Sequence, residues 1–104
     1  ADTAKLLELP AKQWVVQLTA LSSKVAVQRF SRNHPTLTIH SYPRHNKDKV
    51  LWVVIAGPFE QQNAAKDYIA QLPADLRKAG PFIRVVGTVQ QEIKDAAQAQ
   101  RIRE

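Results

Sequence analysis

Hydrophobic and polar positions along the chain repeat in a strand-then-helix pattern. Two similar apolar segments, WVVQL at residues 14–18 and WVVIA at residues 52–56, lie 38 residues apart. Runs of β-branched and aromatic residues of this length are typical of strands. Each segment is followed by a stretch with helical spacing, so the pattern predicts two similar halves that form one sheet.

The first half is predicted to contain two strands with a helix between them. In order, the pattern predicts a strand at residues 13–20, a helix ending near residue 33, a strand at 36–42 and a hairpin loop at 43–49. Either Ser22 or Ser23 can cap the helix, since a serine hydroxyl accepts a hydrogen bond from a backbone N–H of the first turn. Pro35 ends it, because the residue before a proline is disfavoured in the helical conformation.

The second half repeats this order and adds a helix. In order, the pattern predicts a strand at residues 50–56, a helix at 60–72, a short helix or loop at 74–80 and a strand at 81–86. Thr88 precedes Gln91 by three residues, which is the spacing of a capping box. The helix that it would open carries Val89 and Ile93 on one side, and its pattern fades beyond residue 99.

The order of elements predicts an α+β fold of the βαββαβ type, as in ferredoxin-like and RNP-like domains. Right-handed crossovers place two helices on one face of a four-stranded antiparallel sheet. We expect a linker at residues 1–12, with a short docked turn near Leu6 and Leu7, the domain at 13–87, and a C-terminal helix with a frayed end at 88–104. The opposite sheet face is predicted to be open, which suits an elongated ligand.

Alternation along the strands assigns side chains to the two faces. Trp14 is expected to face the core, since the other register would bury Gln17 without partners, and the repeat places Trp52 inward as well. A one-residue slip would reverse the third strand. The outer face then carries Val15, Gln17, Thr19, Thr38, His40, Tyr42, Leu51, Val53, Ile55, Phe82, Arg84 and Val86. This mixture favours a ligand platform; the alternative is a face covered by the C-terminal helix or by a partner domain.

Composition narrows the class of protein. The chain has 104 residues, 44% hydrophobic and 23% charged, which is typical of one soluble globular domain. It contains no cysteine, which excludes disulfides and thiolate metal sites. No signal peptide is visible, and no apolar run approaches the roughly 18–20 residues of a membrane span. The chain has no methionine and starts at Ala1, so we expect a processed or excised piece whose anchor, if any, lies elsewhere.

Charge and chemistry favour binding over catalysis. Fifteen lysines and arginines against nine acids give a net charge of +6, which suits an anionic partner or a plain soluble surface. The three histidines, five to six residues apart, lack metal-ligand spacing. There is no glycine-rich phosphate loop, and acids such as Asp67 and Glu92 are expected on solvated helix faces. The sequence predicts neither an enzyme nor a cofactor.

Several of these segments also match a known family pattern. They are the first strand WVVQL with its Gln17, and IAGPFEQQNAAKDYIAQL at residues 55–72 with its Gly57-Pro58-Phe59 turn. Residues 73–94 are similar to the extended end of one cell-division subgroup. Over residues 13–86 the chain therefore resembles the SPOR (sporulation-related repeat) domains, which bind septal peptidoglycan in bacteria.

The resemblance implies a non-catalytic domain that recognises glycan strands stripped of their stem peptides and so targets its protein to the division septum. It implies the periplasmic domain of a bacterial inner-membrane protein, with other division proteins as further candidate partners and no nucleic acid. By position it places the glycan surface at Gln17 with its neighbours Thr19 and Ala20, at Leu51 and at Phe82. The subgroup favours tryptophan where Leu51 and Phe82 stand, and serine where Ala20 stands.

His40 and Arg84 are also expected to belong to the glycan surface, because both are polar residues on the predicted outer face. Peptide removal leaves a lactyl carboxylate on every second sugar, so the ligand is a periodic polyanion. Arg84 on the platform, with Arg44 and Lys47 at its rim, is expected to supply ion pairs. Each exposed pair contributes only about 0–1 kcal/mol.

Two other binding classes remain open. An RNA-binding domain has the same predicted fold and stacks bases on the open sheet. Its third-strand pattern, a basic residue and glycine followed by alternating aromatics, is not matched by KVLWVVIAG at residues 49–57. A protein-interaction module would use the apolar part of the outer face.

Overall fold

A computed structural model describes residues 2–46 and 48–102. The helices and strands are α1 (Asp2–Leu7), β1 (Trp14–Leu21), α2 (Lys24–Asn33), β2 (Ile39–Asn46), β3 (Lys49–Phe59), α3 (Gln62–Ala70), α4 (Ala74–Lys78), β4 (Phe82–Val85) and α5 (Val86–Ile102). The strands form one antiparallel sheet in the order β2-β3-β1-β4. The predicted α+β fold with a four-stranded antiparallel sheet is confirmed.

One face of the sheet packs against α2, α3 and α4. We call the buried residues between them the helix-side core: Val16, Leu18, Val27, Val54, Ala56, Ala65, Leu72 and Leu76. Trp14 and Trp52 both pack against this core, so their predicted inward orientation is confirmed. Ser23 caps α2, since its Oγ accepts a hydrogen bond from the Ala26 backbone N–H at 3.1 Å.

The opposite face, which we call the outer face, is not open along its whole length. It carries a second cluster, the outer core: Leu6, Val15, Tyr42, Val53, Ile55, Val86, Val89 and Ile93. Leu6 belongs to α1 and the last three residues lie on α5, so both terminal helices cover the middle of this face. The expectation of a fully open face is therefore wrong. The physical reason is that the apolar stripe of α5 and the aliphatic outer positions of β3 bury each other.

Several element boundaries also differ from the prediction. β2 continues through residues 43–46, predicted as loop, because its pairing with β3 extends to Asn46 opposite Lys49. Pro43 fits there because β2 is an edge strand. α5 begins at Val86, directly after β4, so Thr88 lies within the helix and does not cap it. The predicted linker contains α1, whose Leu6 is buried.

The turn that leaves β3 requires a glycine. Gly57 has φ +131°, a conformation that side chains with a Cβ rarely adopt. A Cβ there would also lie 3.2 Å from the Trp14 carbonyl oxygen. Both constraints explain the glycine in the Gly57-Pro58-Phe59 segment.

Candidate ligand-binding site

A bulge in β1 decides which predicted residues share the outer face. Gln17 lies opposite Ile55, and Thr19 lies opposite the adjacent Val54. The strand β1 therefore has one residue more than β3 in this interval, which is a β-bulge. Directly opposed residues share a face, and Val54 belongs to the helix-side core. The expectation that Thr19 points to the outer face is therefore wrong.

The same bulge moves Ala20 to the outer face. After the extra residue, Ala20 lies opposite Val53, a member of the outer core. Ala20 is exposed, in contrast to Val53. Strict alternation from Gln17 would have placed Ala20 on the other side of the sheet.

Four of the sequence-predicted site residues lie on the outer face, along a diagonal from β4 through β1 to β3. Phe82 pairs with Gln17 across β4 and β1, and the residue is 50% exposed. Leu51 is half-buried and lies two residues before Val53 on the same face, which makes it a diagonal neighbour of Ala20. We call Gln17, Ala20, Leu51 and Phe82 the outer strip.

The charge of Arg84 is already paired within the domain. Its Nη1 donates to Gln17 Oε1 at 2.9 Å, to Tyr42 Oη at 2.9 Å and to Glu92 Oε1 at 3.0 Å. Its Nη2 donates to Glu92 Oε2, and its side chain is 10% exposed. Tyr42 Oη donates to Glu92 Oε1 at 2.7 Å. Arg84 is therefore the centre of a partly buried network and not a free cation on the platform.

Glu92 does not lie on a solvated helix face, which corrects the sequence expectation. Burial acts to raise the pKa of its carboxyl, but hydrogen bonds from Arg84 and Tyr42, with the charge of Arg84, outweigh burial and leave the pKa below its ordinary value. Burial, followed by the hydrogen bond to Glu92, raises the pKa of Tyr42. At neutral pH the network holds one positive and one negative charge.

The sequence contains a signal for the part-buried position of Glu92. Glu92 follows Val89 by three residues and precedes Ala96 by four, so helical geometry places it on the buried stripe of α5. A carboxylate on an apolar stripe calls for a basic partner. Arg84 is that partner, eight residues earlier on a different element.

The remaining predicted polar residues lie around this network. His40 is half-buried and pairs with Ile55, which in turn pairs with Gln17, so His40 and Gln17 belong to one row across three strands. Arg44 lies opposite Leu51, and its side chain is 50% exposed, with Nη1 3.7 Å from Glu92 Oε2. Lys47, predicted at the rim, lies outside the described residues.

Residues 2–46 and 48–102 contain neither a metal-binding cluster nor a candidate membrane-spanning helix. In this part of the chain, no three histidine or acidic side chains gather closely enough to hold a metal ion. None of the helices described there has the length and apolar character needed to cross a bilayer.

Comparison with known proteins places the sheet in a family. The family model described as SPOR domain matches residues 10–85. The cell division protein DamX of Serratia marcescens is 27% identical over 85 residues, which cover 82% of this chain and 40% of DamX. The chain thus spans less than half the length of this relative. Since the family model matches most of the chain, from before β1 to the end of β4, the chain belongs to the SPOR domain family.

Proposed function

We propose that this domain is a non-catalytic peptidoglycan-binding module that recognises glycan strands stripped of their stem peptides. The observation that carries the proposal is an aromatic ring beside an amide on an uncovered part of the sheet. Phe82 is 50% exposed and lies directly opposite Gln17. Family membership over residues 10–85 supports the same ligand class.

The chemistry of the outer strip suits a sugar chain. A sugar ring has a flat apolar face, which can stack on Phe82, and polar edges that an amide such as Gln17 can bind. Ala20 and Leu51 extend the apolar surface along the strip. An aromatic contact contributes about 0.5–1.5 kcal/mol beyond the area that it buries. A single site is therefore weak, and repeated sites on a long strand would raise the overall affinity.

Charge plays a smaller part than the sequence suggested. Arg84 is paired with Glu92, whereas the half-exposed Arg44 can reach the lactyl carboxylates of a denuded strand from the rim. His40 extends the row of Gln17 and is the next candidate contact.

The covered middle of the outer face argues against RNA as the ligand. RNA-binding domains with this type of sheet stack bases on aromatics of their central strands. Here the central-strand positions Val53 and Ile55 are aliphatic and at most 1% exposed beneath the terminal helices. A base has no access to them in this arrangement.

The proposed setting follows from the ligand. Peptidoglycan lies in the periplasm, and denuded strands arise where amidases split the septal wall. We therefore place the domain in the periplasm as part of an inner-membrane cell-division protein that it targets to the septum. Other division proteins are further candidate partners. The similarity to a cell division protein supports this setting.

A matched pair of exposed apolar residues tests the site. Phe82→Ala should weaken pelleting with amidase-treated sacculi by about tenfold, since losing the buried area of one aromatic side chain costs on the order of 1.4 kcal/mol or more. Val25 is 59% exposed on α2, on the far side of the sheet, so Val25→Ala is the control. Both variants should melt within a few degrees of the parent domain.

Two results would contradict this site. In one, Phe82→Ala binds treated sacculi as tightly as the parent domain. In the other, Val25→Ala loses as much binding as Phe82→Ala, which would indicate non-specific adsorption of exposed apolar residues.

A further inference from the structure

The amide of Gln17 has a fixed orientation. Arg84 Nη1 donates to Gln17 Oε1 at 2.9 Å. A guanidinium can only donate, so the amide oxygen, and not the nitrogen, must face Arg84. The orientation therefore follows from the chemistry of the partner, and the amide nitrogen is directed away from Arg84.

The two N–H donors of that nitrogen have no acceptor in the part of the chain that the structure describes. Among residues 2–46 and 48–102, no group accepts a hydrogen bond from Gln17 Nε2. Gln17 is half-buried, with the exposed Phe82 opposite it on one side and Ile55 of the outer core on the other.

Arg84 is itself held in place from the other side. Both of its terminal nitrogens donate to the Glu92 carboxylate, and Tyr42 shares the same oxygen, Glu92 Oε1. The order of contacts therefore runs from α5 through Glu92 to Arg84 on β4 and then to Gln17 on β1. With its side chain 10% exposed, the guanidinium has little surface left for a ligand.

We propose that Arg84 is a positioning residue that fixes the Gln17 amide as a hydrogen-bond donor toward an acceptor oxygen of the bound glycan. This inference rests on the proposed function. The acceptor is either an acetamido carbonyl, present on every sugar, or a lactyl carboxylate, present on every second one. In either case Gln17 Nε2 contacts the ligand and Arg84 acts only through Gln17.

A double-mutant cycle separates positioning from direct contact. The probe is a peptide-free tetrasaccharide of alternating N-acetylglucosamine and N-acetylmuramic acid. Gln17→Ala should lower its affinity by about tenfold, the loss expected for one good hydrogen bond. Arg84→Met should lower it by a similar factor or less, and the double variant should lose no more than Gln17→Ala alone.

Arg44 supplies the matched control for the cycle. It is also an arginine near Glu92, but its side chain is 50% exposed. The loss caused by Arg44→Met should multiply with that of Gln17→Ala and reduce the salt dependence of binding. If the losses at Arg84 and Gln17 multiply, as those at Arg44 and Gln17 should, Arg84 contacts the glycan itself and the proposal is wrong.

Two measurements avoid dependence on the folding of Arg84→Met. Gln17→Glu keeps an acceptor for Arg84 but removes the N–H donors, so it should lose as much affinity as Gln17→Ala. In the parent domain, the side-chain amide resonances of Gln17 should shift when the tetrasaccharide is added. Parent-like binding by Gln17→Glu, or unchanged amide resonances at saturation, would overturn the proposal.

A second sugar ligand identifies which glycan oxygen accepts the hydrogen bond from Gln17. It also separates a failure of this inference from a failure of the proposed function. A tetramer of N-acetylglucosamine carries acetamido groups but no carboxylate. If Gln17→Ala weakens its binding by the same factor, the acceptor is the acetamido carbonyl; if only the tetrasaccharide is affected, it is the carboxylate. If the parent domain binds the tetrasaccharide but the losses caused by Gln17→Ala and Arg84→Met multiply in the double variant, only the role of Arg84 is refuted. Parent domain that binds neither sugar refutes the proposed function and this inference with it.

Discussion

Glu92 connects the C-terminal helix to the sheet. Its carboxylate accepts hydrogen bonds from Arg84 and Tyr42, and its side chain is only 17% exposed. A carboxylate at such a position destabilises the fold unless a cation and further donors accompany it. Here both are present, so the polar network fits into the edge of an otherwise apolar cluster.

The depressed pKa of Glu92 predicts a pH-dependent stability difference from Glu92→Gln. In the unfolded chain the carboxyl titrates near its ordinary pKa of about 4.3, whereas the folded state holds it lower. The stabilisation from the ionised form is therefore complete above the unfolded pKa and is lost as the pH falls through the folded pKa. At pH 7, urea unfolding should give the variant a free energy of unfolding lower than that of the parent by on the order of 1–3 kcal/mol. This difference should shrink toward pH 3.

Asp95→Asn is the control for this experiment. Asp95 lies on the exposed side of the same helix, where it accepts a hydrogen bond from Gln91. Its replacement should change the free energy of unfolding by no more than about 0.5 kcal/mol. If the difference in free energy of unfolding between the parent and Glu92→Gln stays constant from pH 7 to pH 3, the role of the ionised carboxylate is contradicted.

Two helices, α1 and α5, lie outside the part of the chain that matches the family. The SPOR domain match covers residues 10–85, and both helices lie outside it. They nevertheless contribute Leu6, Val86, Val89 and Ile93 to the outer core. The outer face of the matched sheet is thus covered by unmatched elements, which leave the outer strip accessible.

A core substitution in α5 tests whether this helix is an integral part of the fold. Ile93 is 7% exposed within the outer core. Ile93→Ala should lower the free energy of unfolding by about 2–4 kcal/mol, through lost burial and the cavity that remains. The neighbouring Lys94 is exposed, so Lys94→Ala should change it by no more than about 0.5 kcal/mol. Equal, small effects from both would mean that α5 is a loosely attached cover.

Some elements could be predicted from the sequence because one local pattern determines them. The repeat of WVVQL and WVVIA carries the inward tryptophans, and Ser23 precedes an amphipathic helix. The bulge in β1 could not be predicted, because nothing in WVVQLTAL marks the extra residue that moves Thr19 and Ala20 to new faces. The apolar stripe of α5 shows that the helix needs a partner, but the stripe alone does not identify which surface it covers.

The domain contains one sheet that separates two apolar cores. Three helices close one face and two close the middle of the other. A stable domain of this size must bury most of its apolar surface, so only a limited part of the sheet remains for a ligand. Within the described residues, the outer strip combines an exposed aromatic ring, an amide with unused donors and flanking apolar side chains. The net charge of +6 favours contact with any anion, so the proposed specificity for glycan is assigned to the outer strip.

Co-sedimentation with purified bacterial sacculi, before and after amidase digestion and with RNA as competitor, tests the claim that this domain recognises denuded glycan. Recognition of denuded glycan predicts that pelleting rises after digestion and is unaffected by RNA. If pelleting is unchanged by amidase digestion and is abolished by RNA or by salt, the claim is contradicted. Such a result would indicate a basic domain that adheres to anions.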